Sequence, residues 1–280
     1  MNQPKLEKAM DQFREVLLGE ERSNGTIKKY LRDVRAFWTW LGERKLSKEV
    51  AVQWRESLQE RGYRPVTINS MLSALNGFLR MIDREDCRVR FLRIQRRAFR
   101  EPGRDLTKGD YQRLLEAAEK EGSLRLRLMM ETICATGIRV SELQYITVEA
   151  AATGRTEISL KGKIRTILLP GKLCQKLLKY AKKMGVSAGQ IFRTKTGKSI
   201  SRCQIWREMK RLSAMAGVSP SKVFPHNLRH LFAAVFYRAC RDIVKLADVL
   251  GHSSIETTRI YLLATGWEHI RQLERLNLLL

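Results

Sequence analysis

The sequence predicts a mainly α protein with a small antiparallel β-sheet, and three observations carry that expectation. The first hundred residues repeat apolar side chains at helical spacing, with no strand-like alternation. An arginine run ending in Pro-Gly, residues 88–104, separates them from the rest. Further on, two short runs, "TEISL" (156–160) and "RTILLP" (165–170), flank the tight basic turn "KGKI" and read as a hairpin. The division that follows is a helical domain over 1–87, a basic linker over 88–104 and a second domain over 105–280.

In the first domain, residues 4–19 are amphipathic. A second helix follows the punctuation "SNG", with Thr26 as its N-cap, and aligns Tyr30, Val34, Phe37, Trp38 and Leu41. A third spans 47–61 and stops near Gly62. A fourth begins after Pro65 and carries Ile68, Met71, Leu72, Leu75, Phe78 and Leu79. Four helices with apolar stripes form a bundle, because one partner cannot cover each stripe. In the second domain, Thr107 caps a helix, and "LRLRLMMETICATG" forms another that Gly137 closes. After the hairpin, helices are expected at 171–184, 201–216, 226–240, 242–250, 254–263 and 266–279.

Charge narrows the function. The 280 residues include 53 Lys and Arg against 29 Asp and Glu, a net charge of +24. Residues 1–100 hold 22 basic and 13 acidic side chains (+9) and the remainder 31 and 16 (+15), so both halves are basic. Solubility does not need that excess, and a polyanion, nucleic acid before membrane, is the expected partner. The opening "MNQPKLEKAMDQF" is polar, and no apolar run is long enough to span a bilayer, which points away from a membrane. Five scattered cysteines suit reduced thiols in the cytoplasm.

The chemistry concentrates in "FPHNLRHLFA", residues 224–233. His226 and His230 share a helix face, but the glutamate of H-E-x-x-H is replaced by Asn227, and Arg229 between them would repel a divalent cation. No metal is expected. His226 and Arg229, three apart, instead suit a phosphate: a histidine moves protons near neutral pH, and a guanidinium offers a fork to two oxygens. Upstream, "ATGIRVSEL" sets Arg139 just beyond a helix-ending glycine. Downstream, "LGHSSIETTRIY" supplies His252 and Tyr261.

The order T-G-x-R-x-S-E-L, a lysine on a hairpin turn, H-x-L-R-H, G-H and a tyrosine resembles the tyrosine recombinases, the phage integrase and Xer-type site-specific recombinases. The resemblance covers essentially the whole chain. It implies a helical core-binding, SAM-like domain followed by an α+β catalytic domain. It further implies that Arg139, Lys161, His226, Arg229 and His252 form the catalytic set and that Tyr261 is the nucleophile, with Lys163 the alternative turn lysine. Leu231 stands where the family usually has Ser or Thr, and residues 140–155 are looser than the usual strand there.

The residue types fit that chemistry. Attack on a phosphodiester builds charge on its oxygens, and one arginine aimed at such charge contributes roughly 10³–10⁵ in rate, about 4–7 kcal/mol. A phenol is protonated at neutral pH; His226 is the expected base and Lys161 the acid for the departing 5′ oxygen. The 3′-phosphotyrosine so formed stores the bond energy, so no cofactor is expected. The implied role is DNA cleavage and rejoining for integration, excision or resolution. The competing readings are a type IB-like topoisomerase and a non-catalytic DNA-binding regulator on the same scaffold. Blandly, Arg139 could pair with Glu142, and His252 could be a helix C-cap.

The expected partners are double-stranded DNA and further copies of the chain, a homo-tetramer on two DNA sites. Lys28, Lys29, Arg96, Arg97 and Arg100 are expected on phosphates. The apolar tail, with Ile270, Leu273, Leu276, Leu279 and Leu280, can fold onto its own domain or dock on a neighbour, and the resemblance, whose members exchange such a segment in tetramers, favours the neighbour.

Overall fold

A computed structural model describes residues 3–94, 103–160, 163–194, 196–262 and 274–276. Lys161, Arg96, Arg97, Arg100 and nearly all of the apolar tail lie outside the described residues. The chain divides into two compact units, Met1–Arg96 and Arg97–Leu280.

The first unit is a four-helix bundle of α1 (Gln3–Gly19), α2 (Asn24–Leu41), α3 (Lys48–Glu60) and α4 (Pro65–Met81). The stripes expected from the sequence face inward: Val34, Phe37, Trp38 and Leu41 of α2, and Ile68, Met71, Leu72, Leu75, Phe78 and Leu79 of α4, are buried. Aromatic edges meet ring faces at Phe13–Phe78 (5.4 Å) and Phe37–Trp54 (5.1 Å), a favourable quadrupole geometry. The cap of α2 is a correction. It is Ser23, not Thr26: the Thr26 backbone N–H donates to Ser23 Oγ at 3.3 Å, so Thr26 already lies inside the first turn.

Beyond α4, a short 3₁₀ turn (Glu85–Cys87) leads into extended chain. The buried Asn76 side chain clasps Val89, accepting from its N–H and donating to its carbonyl, each at 2.9 Å. Asn69 does the same for Leu92, at 2.8 and 2.9 Å. Residues 88–92 are therefore held along α4, with Val89 in the bundle core.

The second unit contains α5 (Lys108–Lys120), α6 (Leu124–Thr136), α7 (Val148–Thr153), β1 (Arg155–Leu160), β2 (Lys163–Leu168), α8 (Gly171–Lys183), α9 (Arg202–Met215), α10 (Pro225–Cys240), α11 (Ile243–Leu250) and α12 (Ile255–Arg259). Thr107 caps α5 in a reciprocal box with Asp110. Strands β1 and β2 form an antiparallel pair in which Arg155 faces Leu168 and Leu160 faces Lys163. Ile158 and Ile167 turn inward, while Ile164 and Leu168 face out. Residues 140–155, looser in sequence than the strand usual in the family there, form a 3₁₀ segment (Val140–Tyr145) and then α7, which Thr147 caps and Gly154 stops in the left-handed conformation, before β1 begins at Arg155.

Two glycines set the site's backbone. Gly137, at φ 66°, ends α6; a Cβ there would come within 2.4 Å of the Phe232 ring. Gly251, at φ 65°, ends α11, and the next N–H, that of His252, donates to Ala247 O at 2.9 Å. That pair of features is a Schellman turn, and it holds His252 directly beyond the helix end.

Asn76→Ala would leave both Val89 polar groups buried and unmet, at about 2–4 kcal/mol. Urea unfolding followed by Trp54 fluorescence should show the midpoint fall; an unchanged midpoint would refute the clasp.

Candidate active site

The centre of the second unit is a guanidinium. Arg229, from the first turns of α10, is 1% exposed. Its Nη1 donates to Gly137 O, its Nη2 to Leu250 O at 2.8 Å and to His252 Nε2 at 2.8 Å, and its Nε to the Tyr261 hydroxyl at 3.4 Å. Among the described residues no carboxylate pairs with it. A charge this deep is costly unless its hydrogen bonds are met, and here neutral groups meet them. Burial, opposed by the nearby Tyr261, lowers its pKa from the ordinary arginine value.

His252 takes its state from these partners. Arginine only donates, so His252 Nε2 accepts and the ring proton sits on Nδ1, 2.8 Å from the buried Thr258 hydroxyl. Burial first, then the charges of Arg229, Arg139 and Arg165, with His226 adding, hold its pKa down to about 4. The ring is therefore neutral near pH 7.

Tyr261 is 7% exposed and lies on the 3₁₀ turn Ile260–Leu262, in a small apolar cluster with Ala233, Leu246 and Leu250. Three imidazoles surround it. The His252 ring stacks on it at 5.7 Å and 9° between planes, His230 lies at 4.3 Å and His226 at 6.0 Å between centroids. The arrangement thus brings together His226, Arg229, His252 and Tyr261 from well-separated stretches of sequence. His230 packs closer to the phenol than His226 does.

Arg139, just past Gly137, is anchored at its root. Its backbone N–H donates to Glu142 Oε2 at 2.7 Å and its Nη1 to Glu142 Oε1 at 3.0 Å, while the side chain stays 44% exposed. The pairing with Glu142 therefore forms and still leaves the guanidinium facing solvent. Arg139, Arg165, Arg202 and His252 line one cleft of about 810 Å³. Four guanidiniums (139, 165, 202 and 229) serve this region, and the carboxylate touching Arg139 and Arg165 is Glu142, 1% exposed. The surplus is positive, and the site suits an anion.

Of the other expected residues, Lys161 lies outside the described residues, and Lys163 begins β2. In the first unit Lys28 is exposed, whereas Lys29 is engaged by Asp33, a carboxylate 2% exposed that Arg32 also contacts at 3.0 Å. Sequence reasoning missed Arg165 and Thr258. Arg165 carried a signal: the two-residue period of β2 puts it on the same face as Ile167 and Leu169, both buried. Thr258 carried none beyond lying between His252 and Tyr261.

Comparison with known proteins fits this geometry. The model described as "Phage integrase family" matches residues 104–265, and "Phage integrase, N-terminal SAM-like domain" matches 10–86. The chain belongs to the phage integrase family. Relatives within the family include tyrosine recombinase XerA of Pyrococcus furiosus, 29% identical over 96% of this chain and 94% of that protein. Tyrosine recombinase XerD of Xanthomonas campestris pv. campestris is 30% identical over 95% and 90%. The phage integrase fold is also that of a lambda integrase tetramer solved on a Holliday junction, with a TM-score of 0.72 and 19% identity over 91% of this chain and 76% of that one.

A neutral His252 has a pH consequence. The unfolded chain takes up that proton near the ordinary 6.5, whereas the folded chain resists it down to about 4. The unfolded state then binds more protons between those values, so stability falls as pH drops through that window and is retained above it. An NMR titration should show the His252 ring protonating near pH 4; a midpoint near 6.5 would contradict the network.

Proposed function

We propose that this protein is a site-specific DNA recombinase that cuts and rejoins strands through a 3′-phosphotyrosyl intermediate at Tyr261. The observation that carries the reading is the tyrosine hydroxyl lying against a buried guanidinium that has no carboxylate partner among the described residues. A phosphodiester supplies the missing negative charge and accepts from N–H groups that Tyr261 and His252 now occupy.

Each group then has a task. Arg139 and Arg229 bind the non-bridging oxygens from the solvent side and the interior of the cleft. The phenol oxygen attacks phosphorus as its proton passes to His226, the P–O5′ bond breaks, and the turn lysine, Lys161, protonates the departing oxygen. His252, neutral in the free protein, gains a partner for a second proton once the phosphate's charge arrives, and then donates to an oxygen of the transition state. The reverse attack by a 5′-hydroxyl rejoins DNA and restores the phenol, with the bond energy conserved throughout.

Recombination joins two sites, so the working form is a tetramer on DNA, in keeping with the assembly of the lambda integrase relative. The net charge of +24, spread over both units, supports broad phosphate contact, in which Lys28, which is exposed, and Arg96, Arg97 and Arg100 take part.

A pool of nicked duplexes of randomised sequence provides the test, the wild-type protein selecting the duplexes it retains. After denaturation the wild type should remain linked to DNA and Tyr261→Phe should not, while His252→Gln should link roughly 10²–10³-fold more slowly. Equal linkage by Tyr261→Phe would overturn the assignment. The logarithm of the affinity should also fall linearly with the logarithm of the salt concentration, with a slope of about −0.9 per phosphate contacted; a flat dependence would contradict the broad contact.

A further inference from the structure

We propose that Arg165 is a positioning residue that locks the β1–β2 hairpin to both halves of the anion site, a role that rests on the recombinase reading above. Its side chain leaves β2 on the inward face and spends its donors on two separate elements. Nη2 pairs with Glu142, the carboxylate that also holds Arg139 by its backbone and side chain. Nη1 donates at 3.3 Å to Val249 O, one of the last carbonyls of α11. Those carbonyls lack partners within their own helix and attract cations.

The fit is close. Arg165 lies over Gly251, where a Cβ would come within 2.4 Å of its Cδ and 2.7 Å of its Nη1. Gly251 therefore has two reasons to be glycine: the left-handed turn that sets His252, and the passage of this arginine. The Arg165 Nε is buried with no hydrogen-bond partner among the described residues, and the side chain is only 14% exposed along the cleft it shares with Arg139 and His252. A guanidinium can span a carboxylate and a carbonyl on different elements; a lysine, with one ammonium at its tip, cannot reproduce that fork.

An isolated two-stranded hairpin is marginally stable, so the placement of this one must come from contacts outside it. Arg165 supplies a contact to each of the two elements that present Arg139 and His252. The hairpin's turn carries the lysine expected to protonate the departing oxygen. Displacement of reacting groups by about 1 Å can cost roughly 10²-fold in rate, and that is the cost expected when the lock is opened.

Arg165→Met, Arg165→Lys and Gly251→Ala test this role on the selected nicked duplex, with DNA binding and the rate of Tyr261–DNA linkage measured separately. Arg165→Met should bind within about threefold of the wild type yet link roughly 10²-fold more slowly, with Arg165→Lys between the two. Gly251→Ala displaces the arginine without removing it. It should slow the wild type about tenfold and the Arg165→Met background by clearly less, because both changes break one arrangement and only the strain of alanine in the left-handed turn is left to add. The Arg165→Met, Glu142→Gln double variant removes the buried carboxylate left short of a partner, and Gly251→Ala alone carries the test if neither folds. Wild-type linkage rates in the Arg165 and Gly251 variants, additive effects of the two, or binding lost in proportion to linkage would each overturn the role. Wild-type protein that binds DNA without Tyr261-dependent linkage would overturn the recombinase reading and this role with it.

Discussion

A guanidinium buried among neutral acceptors is the constraint on which the second unit depends. Removing a full charge from water costs several kcal/mol after relaxation, and no carboxylate among the described residues forms an ion pair with Arg229, Glu142 acting on it only from a distance. What offsets it is backbone: the carbonyl of Gly137, where α6 ends, and that of Leu250, where α11 ends. Both helices stop at a left-handed glycine, and both therefore have carbonyls with no partner inside the helix. The arginine satisfies them and in doing so fixes the two helix ends beside one another.

Position follows from that union. Arg139 is two residues beyond Gly137 and His252 two beyond Leu250, so the groups facing the cleft hang from backbone that the buried arginine holds. His252 closes the loop by accepting from the same guanidinium and passing its other ring nitrogen to Thr258, three residues before Tyr261. The phenol completes it at Arg229 Nε. α11 is the shared support: its last two carbonyls accept from Arg165 and Arg229, so one short helix end organises two cations. The first unit treats charge in the opposite way. There the buried group is an acid, Asp33, and Lys29 and Arg32 neutralise it on the spot, leaving nothing for a ligand to complete.

Much of this was legible in the sequence because the strongest signals are local. Apolar spacing in α2 and α4 gave the bundle, Thr107 and Gly137 marked real helix ends, and the alternation around "KGKI" gave the hairpin. The cap of α2 went astray because Ser23 and Thr26 both suit the role, and only the backbone geometry separates them. The helix over 148–153 was obscured by the expectation of a strand, although Thr147, three alanines and Gly154 spell a capped and stopped turn. The set Arg139, His226, Arg229, His252 and Tyr261 was visible as motifs in order, yet motif order is silent on depth. Arg229 sits on the α10 face with Pro225, Phe232 and Ala233, and an arginine on an apolar face was the available sign of its burial. The inward face of Arg165 was readable from the alternation of β2, but its partners, Glu142 and Val249, were not, because they lie 23 and 84 residues away.

The most direct measurement of this account is hydrogen–deuterium exchange in Arg229→Lys. Lysine keeps the charge but cannot hold two carbonyls, an imidazole and a phenol at once. The account predicts that amides around Ile138 and Arg139 and those from His252 to Tyr261 lose protection together, while residues 24–81 of the bundle keep theirs. Unchanged protection at both helix ends, or loss confined to α10, would show that the buried arginine is not what holds the site.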